Sequence, residues 1–313
     1  FSIAAVVVCL SIPALAATTN TYYVDAANGS PQSPYDTWGK AATDIQAAVD
    51  EASAGLVPGT NECVVLVTNG TYTLTNQITI TNGITLRSAG GRDVTFINGN
   101  YPAYSNRCIE IRDSVTLVTV DGFTITNGYA QNPARGSGIY VTNSSAAVLN
   151  CSLSKNWSPN NGSGLGLYAF VCDNILITNC LVSGNTNATP TSGSGAGIAI
   201  YWSKGLLADS VLTDNIARGN GSRGGGVDVY QNGSPLAATD FVVSNCTFSG
   251  NYADSGGGIY VFGATITRCT ITNNSVRVNG GGVDLYGHGG NRLTYSTISS
   301  NRAGGGGGIV INR

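Results

Sequence analysis

The sequence predicts an all-β solenoid that is closed at its N-terminal end by an amphipathic helix. Seven glycine clusters after residue 135 each lead into a short strand of alternating apolar residues, and their last glycines lie 24 to 32 residues apart. Six other short strands each end in an asparagine. Strands of fixed geometry joined by loops of free length are typical of stacked repeats. The last glycines of the seven clusters are Gly138, Gly166, Gly197, Gly226, Gly258, Gly282 and Gly308.

Composition agrees with an elongated molecule that is solvated by neutral polar groups. Only 10% of the residues are charged, whereas glycine alone contributes 43 residues. The formal net charge of -2 gives no basic stripe, so nucleic acid is not an expected partner. A single histidine and the absence of CxxC spacing leave no donor set for a metal, and we expect no cofactor.

Residues 1–17 have the features of a secretory signal. They are apolar, too short to span a bilayer comfortably, and end in the small-x-small sequence Ala14-Leu15-Ala16. We interpret them as the remaining part of a signal peptide, with a buried N-terminal strand as the alternative. A secreted or cell-surface protein without a transmembrane helix is therefore expected.

Residues 18–59 are predicted to form a strand, at residues 21–26, and the capping helix. Thr43 and Gln46 have the spacing of a capping box, and Gly55 would stop the helix. The predicted apolar face comprises Ile45, Ala48, Val49 and Ala52. This helix would cover the open end of the solenoid core.

Residues 60–313 are predicted to form the solenoid itself. Its first strands are expected at residues 64–68, 77–80, 83–88 and 94–99. The last glycine cluster runs into a strand just before Arg313, so we expect a solenoid truncated at its C-terminal end.

Stacking the repeats places equivalent side chains in columns. In the strands that follow the glycine clusters, the predicted inward pairs are Ile139/Val141, Leu167/Ala169, Ile198/Ile200, Val227/Val229, Ile259/Val261, Val283/Leu285 and Ile309/Ile311. The turn asparagines are Asn156, Asn185, Asn215, Asn251, Asn274 and Asn301. Their amides are expected to hydrogen-bond from rung to rung as an asparagine ladder, which would specify stacking.

Cysteines fall in one inward column of the strands that precede these asparagines. Cys151/Cys180 and Cys246/Cys269 would lie on neighbouring rungs about 4.8 Å apart, which is within the Cα range of a disulfide. The column also contains Ser210 and Ser296. A column of small thiols packed as apolar groups is therefore the favoured interpretation, with disulfide staples as the alternative.

Two sets of repeats resemble known families. Residues 248–260 (FSGNYADSGGGIY) and 271–286 (ITNNSVRVNGGGVDLY) resemble the repeats of polymorphic outer membrane proteins and related surface adhesins. Phe248 alone supplies the phenylalanine of that pattern, and glycine replaces its alanine. Residues 84–100 and 115–128 resemble the first coils of pectin-lyase-like proteins. The resemblance covers residues 20–313 and implies a right-handed, single-stranded parallel β-helix.

The outward face of the glycine-led strands carries the candidate binding site. One predicted column reads Tyr140, Tyr168, Ala199, Asp228, Tyr260, Asp284 and Val310, and the next reads Phe170, Tyr201, Tyr230, Phe262 and Tyr286. A contiguous aromatic stripe usually marks a surface that something covers. The candidate binding residues are Phe170, Tyr201, Tyr230, Tyr260, Phe262 and Tyr286, with a polysaccharide or a cell-surface partner as the ligand. The alternatives are that loops from the asparagine-rich turns fold over the rings, or that the rings only stabilise the sheet.

An enzymatic role is the second hypothesis. Asp228 and Asp284 would lie about two rungs apart, close to the carboxylate separation of an inverting glycosidase. His288 lies nearby in a Gly-His-Gly tripeptide that resembles one found in polygalacturonases. The polygalacturonase Asn-Thr-Asp, paired-Asp and Arg-Ile-Lys motifs do not follow in order. The sequence therefore favours an exported adhesin, stalk or polysaccharide-contacting module over a hydrolase or lyase.

Overall fold

The computed structural model describes residues 18–131, 134–159, 162–187, 193–233, 241–287 and 290–312. Within these residues the chain winds into three sheets whose neighbouring strands come from successive coils and pair in parallel. The predicted all-β parallel solenoid is confirmed. Short corners join the sheets, so residues one coil apart in sequence become neighbours in space.

In each of the three sheets, the strands lie in the order in which they occur along the chain. The ten strands of the first sheet are Thr18–Val24, Asn61–Val67, Thr85–Ser88, Val118–Asp121, Ala146–Leu149, Ile175–Thr178, Gly205–Ala208, Phe241–Ser244, Thr265–Thr267 and Arg292–Thr294. The nine strands of the second sheet are Gly70–Thr73, Thr95–Asn98, Thr124–Thr126, Ser152–Ser154, Leu181–Ser183, Val211–Thr213, Thr247–Ser249, Thr270–Thr272 and Thr297–Ser299. The nine strands of the third, which we call the aromatic sheet, are Ile78–Ile80, Ile109–Arg112, Ile139–Thr142, Leu167–Phe170, Ile198–Tyr201, Val227–Tyr230, Ile259–Phe262, Val283–Tyr286 and Ile309–Asn312. Two short pairs lie between the second and aromatic sheets: Trp157–Ser158 with Thr186–Asn187, and Tyr252–Ser255 with Ser275–Asn279.

A 3-10 turn, Trp38–Lys40, and one α-helix, Ile45–Gly55, complete the described secondary structure. The helix buries the predicted apolar face of Ile45, Ala48, Val49 and Ala52. The predicted capping box is wrong. Asp44 is the N-cap, because its carboxylate accepts a hydrogen bond from the Ala47 N–H at 2.9 Å.

Gln46 has a different role, which explains how the helix closes the solenoid. Its amide accepts from the backbone N–H of Thr79 at 2.7 Å and donates to the Thr79 carbonyl at 3.2 Å. Thr79 lies on the outermost strand of the aromatic sheet. The helix thereby satisfies an edge that would otherwise present unpaired backbone groups. Within the described residues, no helix is long and apolar enough to cross a membrane.

The predicted inward pairs of the aromatic sheet are buried from Ile139 to Val283, and Leu285 is half-buried. The last pair departs from the prediction. Ile309 and Ile311 are 43% and 65% exposed, because their strand is the outermost one of the sheet and no further described strand packs beyond it.

The glycine clusters meet two different requirements of the coil. Gly224 has a φ of +56°, a left-handed conformation that side chains disfavour. Gly226, two residues later, lies so close to the next coil that a Cβ there would be 2.6 Å from the carbonyl oxygen of Gly258. The repeated motif therefore combines a sharp corner with a close approach between rungs.

The asparagine ladder is present as predicted and is buried from Asn156 to Asn274. Asn215 donates from Nδ2 to the Val182 carbonyl at 2.9 Å and to Oδ1 of Asn251 at 3.0 Å. Its own Oδ1 accepts from the backbone N and the Nδ2 of Asn185, at 3.2 and 2.9 Å. The pattern repeats along the ladder Asn156, Asn185, Asn215, Asn251, Asn274 and Asn301. Each interior amide thus ties together three successive coils.

All seven cysteines that the structure describes are buried free thiols. Cys180 shows the pattern: its Sγ lies 3.3 Å from the Thr178 carbonyl and 3.5 Å from that of Val148. Burial raises the pKa of the Cys108 thiol to about 12 and that of Cys180 to about 11. The observed state is thiol packing rather than disulfide stapling.

We expect iodoacetamide at neutral pH to leave these cysteines unmodified in the native protein, because burial shields all of them and also makes the reactive thiolate scarce at Cys108 and Cys180. Unfolding in guanidinium should expose them all. Val115 is 94% exposed, so a Val115→Cys variant should acquire one rapidly alkylated thiol, as a positive control read by mass spectrometry. Rapid native-state alkylation of Cys108 or Cys180 would contradict the described packing.

Candidate functional site

The aromatic sheet brings the predicted binding residues into register. Its strands pair so that Phe170 lies beside Tyr201, Tyr201 beside Tyr230, and Tyr230 beside Phe262. The ring centroids of Phe262 and Tyr286 are 6.2 Å apart, which continues the line. We call Phe170, Tyr201, Tyr230, Phe262 and Tyr286 the aromatic ladder. Residues about thirty apart in sequence are therefore direct neighbours.

From Tyr201 to Tyr286, neighbouring rings of the ladder also contact one another. Centroid separations are 5.7 Å for Tyr201 and Tyr230 and 5.6 Å for Tyr230 and Phe262, with tilted planes. These separations are within the range of favourable aromatic pairs. Four of the five rings are half-buried, and Tyr286 is 45% exposed. The ladder is a packed stack with one side open to solvent.

Trp202 extends this surface and was missed by sequence reasoning. Its ring lies 5.3 Å from that of Phe170, and its indole nitrogen donates to the Asn232 carbonyl at 2.8 Å. Trp202 follows the strand at a corner, with φ +51°. Strand alternation stops at such a corner, so period-two counting could not place the side chain.

The neighbouring outward column is covered by arginines, which corrects the expectation that Tyr260 lies on the open surface. Tyr260 is only 4% exposed. The guanidinium of Arg223 lies 4.9 Å from the centroid of Tyr260 and 5.0 Å from that of Tyr230. Arg135 covers Tyr168 in the same way, at 5.2 Å. These cation–π contacts shield the inner column.

Asp228 lies at the centre of this covered column. Its side chain is fully buried, and its Oδ2 accepts a hydrogen bond from the Tyr201 hydroxyl at 2.8 Å. Arg223 Nη2 lies 3.5 Å from the same oxygen and donates to the Tyr201 hydroxyl at 3.1 Å. Burial raises the pKa of Asp228, while Arg223 and the Tyr201 hydrogen bond oppose the rise. The carboxylate stabilises the ladder from beneath.

Asp284 is the second carboxylate of the column, two rungs from Asp228 with Tyr260 between them, as predicted. It is 1% exposed, and its Oδ1 accepts from Nδ2 of Asn312 at 2.7 Å. Burial raises the pKa of Asp284 to about 6, against the opposing effects of that hydrogen bond and of Arg223.

These positions do not favour the enzymatic hypothesis. A general acid or base must reach the group whose proton it transfers, and both carboxylates are sealed beneath other side chains. Within the part of the chain that the structure describes, they do not open onto a shared groove. The third candidate, His288, lies outside the described residues. Across the described ranges no group of three His, Cys, Asp or Glu side chains has the proximity needed to hold a metal ion.

A second outward column, which the sequence analysis did not identify, follows the asparagine ladder by one residue. Parallel bridges and strand pairs connect its members in order: Tyr129, Trp157, Thr186, Ile216, Tyr252 and Ser275. Beside Ile216 and Tyr252 the surface forms a groove of about 600 Å³, which we call the lateral groove. The sequence contained a signal for this column, because each member comes directly after the turn position that the asparagines occupy.

Together, the stacked sheets, the ladder of amides and the column of rings define a parallel β-helix with two candidate contact surfaces. Residues 62–291 match the family model described as the right handed beta helix region. The chain therefore belongs to the right-handed β-helix family. It matches no curated protein and no solved structure. The finer resemblance to polymorphic outer membrane protein repeats stays a prediction.

Proposed function

We propose that the protein is an exported β-helix, an adhesin or stalk, that contacts a polysaccharide through the aromatic ladder. The observation that carries the proposal is the presence of aromatic residues at five successive rungs, each of them partly exposed to solvent. Sugar rings present apolar faces that pack on aromatic side chains. The signal-like pattern of residues 1–17 supports export.

The direction of the ladder favours a linear polymer over a compact ligand. The rungs repeat about every 4.8 Å along the solenoid axis, so a chain lying along that axis meets one ring after another. The Tyr201 hydroxyl donates to Asp228 and accepts from Arg223, which fixes this ring before any ligand arrives. A surface whose side chains are already ordered loses less conformational entropy when it binds a ligand.

The test is a glycan array with Tyr286→Ala, scored against wild type. Because Tyr286 is the most exposed ring, its loss should weaken binding about fivefold, the value of one aromatic contact. Tyr286→Phe should retain binding. Tyr295, which is 88% exposed and outside the ladder, supplies the matched control Tyr295→Ala, which should bind as wild type does.

The same preparations should be assayed for depolymerisation. Release of new reducing ends by the wild type would support the enzymatic alternative and overturn the binding-module proposal. If Tyr286→Ala bound the glycan as strongly as the wild type does, this would contradict the proposal that the aromatic ladder contacts the polysaccharide.

A further inference from the structure

The lateral groove is a built cleft rather than a flat surface. Its volume of about 600 Å³ is within the range of small-molecule sites. Ile216 and Tyr252 form one wall as neighbours of the second outward column, and both are half-buried. The residues 218–220 and the side chain of Arg277 form the remainder.

Asp254 and Arg277, which both line the groove, form an ion pair. Arg277 donates from Nε to Oδ1 of Asp254 at 2.9 Å and from Nη2 to Oδ2 at 2.7 Å. Oδ2 also accepts from the backbone N–H of Gly221 at 2.6 Å, and Arg277 donates to Oδ1 of Asn220 at 2.8 Å. Such two-point pairing is the strong form of an arginine–carboxylate contact. The charges of Asp254 and Arg277 therefore cancel within the protein.

Arg218 is left as the unbalanced charge of the groove. Its side chain is exposed, and its guanidinium has no hydrogen bond or ion pair with any part of the chain that the structure describes. Its backbone is nevertheless held, because its N–H donates to Oδ1 of Asn187 at 2.5 Å and its carbonyl accepts from Nδ2 at 2.9 Å. A guanidinium on a fixed backbone beside an aromatic wall is suited to an oxyanion that offers two acceptor oxygens, on a ligand with an apolar face.

We propose that the lateral groove binds an acidic sugar, with the sugar ring on Tyr252 and its anionic substituent on Arg218. The inference rests on the proposed function for the saccharide class and goes beyond it in naming a second site and the charge of the ligand. Carboxylate and sulfate substituents share the required chemistry. Neutral sugars would have only the aromatic contact.

The test uses calorimetric titration of the whole chain with cello-oligosaccharides and with C6-carboxylated and C6-sulfated counterparts of the same length. Arg218→Gln should weaken binding of the charged oligomers about tenfold, the effect of one charge-assisted contact, and leave the neutral oligomer unchanged. Tyr252→Ala should weaken all three. Arg268→Gln removes another exposed arginine, at a corner of the first sheet, and should change nothing.

The outcomes separate this site from the aromatic ladder. Loss of charged-oligomer binding on Arg218→Gln but not on Tyr286→Ala supports the lateral groove and overturns the ladder. If Tyr286→Ala alone weakens oligosaccharide binding, the lateral-groove proposal is overturned and the proposed function stands. Equal effects of Arg218→Gln and Arg268→Gln indicate non-specific attraction and overturn the groove. If the wild type binds none of the oligomers, both proposals fail.

Discussion

Asn215→Ala is expected to lower the free energy of unfolding by roughly 3–5 kcal/mol, because it leaves several buried polar groups without partners. The backbone N–H and the Nδ2 of Asn185 lose their acceptor, and the Val182 carbonyl loses its donor. Asn215 is fully buried, so water cannot replace these bonds. Urea unfolding followed by circular dichroism measures the change.

Asn301→Ala is the matched control, since Asn301 occupies the end of the same ladder and is half-buried. It accepts from Asn274 at 3.0 Å and donates to the Ile271 carbonyl at 2.8 Å, as an interior member does. Solvent reaches these groups, so the loss should be clearly smaller. Equal destabilisation by the two variants would contradict the view that burial gives the ladder its strength.

Arg223→Met should be the most damaging change beneath the aromatic ladder, with a cost of about 3–5 kcal/mol at neutral pH. The substitution removes the cation paired with the fully buried Asp228. It also removes the hydrogen bond to Tyr201 and the cover over Tyr230 and Tyr260. An uncompensated buried carboxylate is the dominant part of the expected loss.

The pH dependence of the stability loss shows how much of it comes from the unpaired Asp228 carboxylate. Burial already raises the pKa of Asp228 above its unfolded value of about 3.9, and loss of Arg223 raises it further. A carboxyl whose folded pKa is raised favours the folded state below the unfolded pKa, and that stability is lost as pH rises through the folded pKa. The deficit of Arg223→Met relative to wild type should therefore be largest at neutral pH and shrink as pH falls towards about 4.

Two variants complete this test. Arg223→Met with Asp228→Asn should recover much of the stability, because no buried charge is then left unpaired. Arg135→Met removes a ring-covering arginine from above Tyr168, where no ion pair is formed among the described residues, and should show a small, pH-independent effect. A pH-independent deficit for Arg223→Met would show that ring packing, not charge pairing, accounts for its role.

How much could be predicted varies from residue to residue. The sequence predicted that Tyr201 and Tyr230 lie on neighbouring rungs, because each position can be counted from its preceding glycine cluster along a strand of period two. The structure confirms this register. For Tyr260 the sequence predicted the correct column, but it predicted an exposed ring where the structure has a buried one. Its cover, Arg223, comes from a corner that precedes the strand, where no periodicity relates side-chain direction to position.

The lateral groove also depends on contacts that sequence periodicity could not predict. Tyr252 and Arg218 belong to different coils, and Asp254 neutralises Arg277 across 23 residues of sequence. Nothing in the local pattern distinguishes Arg277, which is paired, from Arg218, whose guanidinium has no partner among the described residues. The cancellation of one charge and the exposure of the other depend on loop geometry between coils.

Sequence periodicity was enough to predict the coil, the inward columns and the asparagine ladder, because each follows from the backbone repeat and from glycine where a side chain does not fit. Which outward groups are covered could be seen only in the folded molecule. Burial of Asp228, Asp284 and Tyr260 depends on side chains that reach over from neighbouring rungs and corners. Such contacts join residues that have no fixed spacing in the chain.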